Sequence, residues 1–221
     1  MKQLPNDIAP YSGEDLRRRA SGILLPTDEV KQVAMAGPVR YSDLSLNPEL
    51  GPARQDVDTR AAAVLVPIIE RAPEATILLT ERTRHLSAHA GQIAFPGGKM
   101  DESDAEPMQT ALREAREEIG LDSSLVRPIG FLDTYQTVTN FRVAPLVALV
   151  SPEIELVLDA SEVADAFEVP LRFLMSQENH HIHSLNYEGR ERFYYAMPYG
   201  DRYIWGATAG ILHNLYEWLY S

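Results

Sequence analysis

Glu114, Glu117 and Glu118 crowd the end of the stretch GGKMDESDAEPMQTALREAREEIGL, residues 97–121. At about 100° per helical residue, the three carboxylates fall within roughly a 100° arc on one face. On stability grounds the placement is poor. Glu114 and Glu118 are like charges at i, i+4, which costs about 0.2–0.5 kcal/mol. Glu117 and Glu118 lie toward the negative end of the helix dipole, at about 0.3–1 kcal/mol more. Arg113 can pair with Glu117 at i, i+4, as in an ordinary solvated face. The flanks point elsewhere. FPGGK (95–99) precedes the helix, and two glycines let backbone approach a ligand closely. Carboxylates together with a backbone carbonyl make the hard-oxygen surroundings that Mg²⁺ prefers. Such an ion with open water positions serves phosphoryl and pyrophosphate chemistry. A divalent cation would also reverse both electrostatic penalties.

A helix must carry these groups, and its signals are present. Ser103 and Glu106 have capping-box spacing, and Pro107 suits a first turn. Met108, Leu112, Ala115 and Ile119 form one apolar stripe, and Gly120 is a stop. AAAVLVPII (61–69) and ATILLTER (75–82) read as strands joined by a hairpin connection. Residues 126–138 and 141–150 read as further strands. SEVADAFEVPLRFLM (161–175) predicts a helix broken at Pro170. NHHIHSLNYE and RERFYYAMPY predict a hairpin around Glu188 and Gly189, and 208–221 predicts an amphipathic helix with Ile211, Leu212, Leu215, Trp218 and Leu219 inward. The order predicts an α/β domain with a mixed β-sheet between helices. Residues 1–56, rich in Pro and Gly, read as an N-terminal extension with one short helix at 13–20. Arg17, Arg18 and Arg19 on that helix read as a solvated face.

Totals narrow the function. The 221 residues are 45% apolar, enough for a sizeable core. A net charge of −12 argues against a nucleic-acid partner. It leaves room for a phosphate-bearing small substrate, since a bound cation inverts the local sign. With no cysteine, thiolate chemistry and disulfides are excluded. The first residues lack the apolar core of a secretory signal, and no run approaches the length of a membrane span. A cytoplasmic location without membrane association is the expectation.

REAREEIGL (113–121) resembles the core of the Nudix hydrolase box, G-x5-E-x7-R-E-U-x-E-E-x-G-U with U aliphatic. Arg113 to Leu121 fits, with Ala115 as U. Ala105 stands where the box has Glu, and the loop from Gly98 is one residue longer. Either Asp104 or Glu106 takes that place. Upstream, LLTERTRHLSAHAGQIAFPGG (78–98) is similar to the coenzyme A pyrophosphatase subfamily's LLTxR-S/A-x3-R-x3-G-x3-FPGG. Thr83 and Ser87 depart from it, Ser87 standing where that subfamily has Arg. YIWGATAGIL (203–212) also resembles the subfamily. The resemblance spans residues 57–221 and implies a Nudix domain with an α/β/α sandwich.

It further implies a Mg²⁺- or Mn²⁺-dependent hydrolase that splits the phosphoanhydride of coenzyme A or its derivatives, giving 3′,5′-ADP and 4′-phosphopantetheine. Another nucleoside diphosphate derivative, such as ADP-ribose or a dinucleotide, is the alternative that Ser87 favours. A catalytically weak nucleotide-binding module is a third. By position, Glu114, Glu117 and Glu118 with the Gly98 carbonyl are the metal ligands, and Arg113 orients them. The general base stays open between Glu114, Glu117 and, outside the box, Glu162. Arg82, Arg84, Gly97 and Lys99 are the substrate-binding candidates. Tyr135, Phe141, Tyr194, Tyr195 and Trp205 are candidates to stack on a base. His85 and His89, and His180, His181 and His183, have spacings that a transition metal can use, without an acidic partner pattern. A homodimer is expected by analogy with the family alone.

Overall fold

The computed structural model describes residues 8–26, 39–48, 59–85, 90–187 and 189–221. Its centre is β2 (Arg60–Ile69) beside β8 (Phe141–Val150), paired in parallel over ten residues. Both read as near-continuous apolar runs because both faces are covered. Alternate residues of β2 face opposite ways. Ala62, Val66 and Ile68 join one buried cluster, and Ala63, Leu65 and Ile69 join the other.

Around this pair a mixed sheet forms. β3 (Thr76–Arg82) pairs antiparallel with β2, and β4 (Ile93–Ala94) and β9 (Val163–Pro170) pair antiparallel with β3. β5 (Gly97–Lys99) lies antiparallel on β2 at Ala62, Ala63 and Val64. β6 (Val126–Phe131) and β7 (Tyr135–Gln136) pair antiparallel with β8. β1 (Tyr41–Ser42) pairs parallel with β7. A second, antiparallel sheet holds β10 (His181–Tyr187), β11 (Arg190–Tyr199) and β12 (Arg202–Trp205).

Helices cover both faces, as expected for the α/β/α sandwich. α2 (Pro107–Ile119) packs Ala111, Ala115 and Ile119 on one face. α4 (Gly206–Leu219) packs Ile211, Leu212, Leu215 and Leu219 into the other cluster, which also takes Leu16 and Ala20 of α1 (Gly13–Ala20). Arg17 is exposed, but Arg18 and Arg19 pair with Asp15 of the same helix. Arg19 also donates to the Leu219 carbonyl, so the basic run ties α1 to α4 rather than lying wholly in solvent.

Two local expectations fail. The predicted helix at 161–175 is instead strand β9 followed by the single turn α3 (Leu171–Leu174). β3 needs partners for its outer backbone groups, and β9 pairs with it from Arg82 to Thr76. That tertiary demand outweighs the helical pattern of the Ala and Glu residues. The capping box also does not form. Glu106 is the N-cap residue without a side-chain cap bond, and Pro107 opens the helix as expected.

Candidate active site

α2 ends where the sequence places its stop, with Gly120 left-handed at φ 67° and its N–H returned to the Ala115 and Arg116 carbonyls. The last carbonyls are satisfied from outside. Val157 N–H donates to Ile119 and Asp159 N–H to Glu118. The stretch before β9 thereby holds this end of the helix, and the Glu118 side chain links it to β5, where the glycine pair lies.

Gly97 and Gly98 are glycines for steric reasons. A Cβ on Gly97, at φ 155°, would stand 2.5 Å from the Ala63 carbonyl oxygen. A Cβ on Gly98 would stand 2.5–2.7 Å from the Glu114 carboxyl atoms. Glu114 therefore lies directly over the Gly98 backbone. Glu118 is buried, with its side chain 5% exposed. It accepts the Gly97 N–H at 3.2 Å and sits 3.5 Å from Arg82 Nη1. Burial drives the Glu118 carboxyl up to about 7, which the Gly97 amide and Arg82 only partly offset. Burial also raises Glu114.

Arg113 organises the opposite side. It donates to Glu114 at 2.8 Å and to Glu117 at 2.9 Å. It grips Asp104 with two bonds, at 2.8 and 3.2 Å. Asp104 also accepts from Thr110 Oγ1 and the Asp101 N–H. The Arg113 guanidinium holds the Asp104 carboxyl down at about 2. Of the two candidates for the missing box glutamate, Asp104 is the one that binds Arg113, while Glu106 occupies the N-cap position without a side-chain bond to the helix. Glu162, in the turn before β9, lies 3.9 Å from Arg82 Nη2, and its charge is felt by both Glu114 and Glu118.

Among the described residues, no three acidic or imidazole side chains converge at ligand distance. The reason is visible in the contacts. Glu114 and Glu117 turn to Arg113, and Glu118 to Gly97 and Arg82. The donor set still suits a divalent ion: carboxylate oxygens, a glycine backbone without a Cβ between, and a buried Glu118 with incomplete charge compensation.

Beside this cluster opens a cavity of about 410 Å³, bounded by β5, the first turn of α4 and the β10–β12 sheet. Arg82, Gly97, Gly98 and Lys99 reach it from the carboxylate side. Gly97 meets it with an amide already given to Glu118. Arg84 is exposed beyond β3 and is not part of the wall. Phe141, Tyr194 and Trp205 line the cavity. Tyr135 is buried with its hydroxyl on Asp43, and Tyr195 stacks on His213, so neither faces it. His85 meets the Ser161 carbonyl, His180 meets His213, and His183 meets the Tyr203 hydroxyl. Ser87 and His89 lie outside the described residues.

Two charged wall residues escaped the sequence reading, Asp43 and Arg192. Strand alternation was the available signal for Arg192, since it shares a face of β11 with Tyr194. Nothing local marks Asp43.

The NUDIX domain family model matches residues 59–187. The protein named "Uncharacterized Nudix hydrolase NudL" from Yersinia pestis (strain Pestoides F) is 44% identical over 156 residues, covering 71% of this chain and 78% of that one. Its namesake from Yersinia pseudotuberculosis serotype O:1b (strain IP 31758) matches equally. Among solved structures, a binary complex of the C. elegans Ap4A hydrolase aligns at TM-score 0.44 and 21% identity, over 50% of this chain and 80% of that chain. DR0079 from Deinococcus radiodurans aligns at TM-score 0.46 and 13% identity, over 74% and 90%.

Proposed function

The chain belongs to the Nudix family, and from that premise we propose that it is a metal-dependent pyrophosphohydrolase cleaving the phosphoanhydride of coenzyme A or its derivatives. One observation carries the reading. The Glu114 and Glu118 carboxylates are seated on the Gly97–Gly98 backbone at the edge of a cavity large enough for a nucleotide. Residues 57–221 are the hydrolase domain, and 1–56 is an extension whose described parts pack against it.

Glu114, Glu117, Glu118 and the Gly98 carbonyl would hold Mg²⁺ or Mn²⁺. The ion, when bound, supplies charge neutralisation at the scissile phosphates and a more acidic water. Arg113 holds Glu114 and Glu117 in reach and is itself fixed by Asp104. Arg82 and Lys99 attract the substrate's phosphates at the cavity wall. Glu162, half exposed and beside Arg82, takes the proton of the attacking water; Glu114 and Glu117 are the alternatives within the box. Phe141, Tyr194 and Trp205 offer ring faces to the base.

Incubation with coenzyme A, ADP-ribose and NADH, each with Mg²⁺ and with Mn²⁺, tests the assignment by chromatography of the products. Coenzyme A should be cleaved best, to 3′,5′-ADP and 4′-phosphopantetheine. Preference for ADP-ribose or NADH would keep the site and replace the substrate. Glu118→Gln should lower turnover roughly a hundredfold or more, on the scale of removing one preorganised electrostatic group. It should also shrink the rise in melting temperature that millimolar Mg²⁺ produces in the wild type.

A further inference from the structure

The β10–β12 sheet gives the cavity a wall with its own chemistry. Register places Leu185 opposite Arg192, and Trp205 opposite Ala196. Leu185, Arg192, Tyr194 and Trp205 thus share one face, and all line the cavity. Among them Arg192 is the cation, and it comes from a different sheet than Arg82 and Lys99.

Arg192 is more than half-buried and under-employed. Its carboxylate partner among the described residues is one Asp43 oxygen, at 3.2 Å from Nη2. Its Nε–H is buried with no partner among the described residues. A guanidinium presents five donors, and enclosing one with so few acceptors is costly unless another acceptor arrives. Asp43 cannot fully serve it. The same carboxylate accepts the Tyr135 hydroxyl at 3.0 Å and the Val138 N–H at 2.9 Å. Nor is Arg192 needed to fasten this segment to β11. Asn47 does that, accepting the Phe193 N–H at 2.7 Å and donating to the Phe193 carbonyl at 2.9 Å.

We propose that Arg192, countered at rest by Asp43, is a second anion-binding position of the cavity, which selects nucleotides carrying a phosphate monoester in addition to the pyrophosphate being split. A phosphate monoester matches the guanidinium fork with two parallel bonds and brings nearly two negative charges. It therefore outcompetes the single Asp43 contact. The inference rests on the hydrolase reading for its substrate, and it is tested through binding so that the two stand or fall separately.

Calorimetry should compare adenosine 5′-monophosphate with the 3′,5′- and 2′,5′-bisphosphates on wild type, Arg192→Gln, Arg192→Lys and Asp43→Asn. Wild type should bind one bisphosphate about tenfold or more tighter than the monophosphate, the range of a charge-assisted contact. Arg192→Gln should erase that preference and leave monophosphate affinity unchanged, and Arg192→Lys should restore part of it. Asp43→Asn should sharpen the preference, since it removes the competing anion. A purely structural ion pair would instead lower the melting temperature and weaken all three nucleotides alike. Equal binding of the three by wild type, a preference that survives Arg192→Gln, or no binding at all would each overturn the proposal. Failure of wild type to hydrolyse coenzyme A with the bisphosphate preference intact would overturn only the hydrolase assignment.

Discussion

Gly98 and Gly97 are neighbours with opposite duties. A Cβ on Gly98 meets only the far end of the Glu114 side chain, whereas one on Gly97 meets the backbone of β2. Gly98→Ala should therefore displace Glu114 and cut turnover about tenfold or more, on the scale of a disturbed supporting shell, with the melting temperature little changed. Gly97→Ala should destabilise the fold by about 1–3 kcal/mol, the scale of imposed backbone strain. Steady-state kinetics beside thermal unfolding separates the two; equal thermal losses would refute the distinction. Glu114, Glu117 and Glu118 were legible in the sequence because a helix fixes which residues share a face. Asp104 was legible only as an alternative to Glu106, because spacing does not say which acid in a loop turns to Arg113. Asp43 and Arg192 were not legible as a pair, since two sheets must fold before they meet.

Among the elements, the strands flanking the chain's centre were readable from apolar runs, and β10–β11 from a turn between two alternating stretches. β9 was not. Its residues suit a helix locally, and only the open edge of β3 makes them a strand. The segment at 41–48 shows the same dependence on distant partners. Buried Asn47 supplies both a donor and an acceptor to Phe193, acting as one residue of an extra strand. Asn47→Ala would leave two backbone groups of β11 without partners, at roughly 2 kcal/mol or more. Urea unfolding should register that loss, and an unchanged midpoint would show the contact to be dispensable.

The molecule as a whole carries a net charge of −12, yet one source of acid sensitivity near neutral pH is a pair of histidines. His180 and His213 touch at 2.9 Å, and burial lowers both. Glu217, 3.5 Å from His213, works the other way but does not prevail. Unfolding frees both rings to take protons at about 6.5, so stability should fall as pH drops through that value. Asp104, depressed to about 2, stabilises above the ordinary Asp range and loses its contribution only in stronger acid. Between pH 7.5 and 5.5 this loss runs against the gain from Glu118, whose raised carboxyl takes up a proton in the fold before it would in the unfolded chain, so the histidine part is read as a difference: as pH falls, His213→Gln should lose less melting temperature than the wild type, and an unaltered slope would exclude the pair as a source. The cavity's walls have a further consequence. The carboxylates and the glycine strand lie within residues 59–187, which the family model matches, whereas Asp43, Arg192, Tyr194 and Trp205 lie outside them. On the proposed reading, the groups for bond breaking and one part of the substrate-selecting wall are thus encoded in different stretches of the gene. If Arg192 selects the substrate as proposed, changes in the outer stretches should redirect the protein to new metabolites while its reaction stays the same.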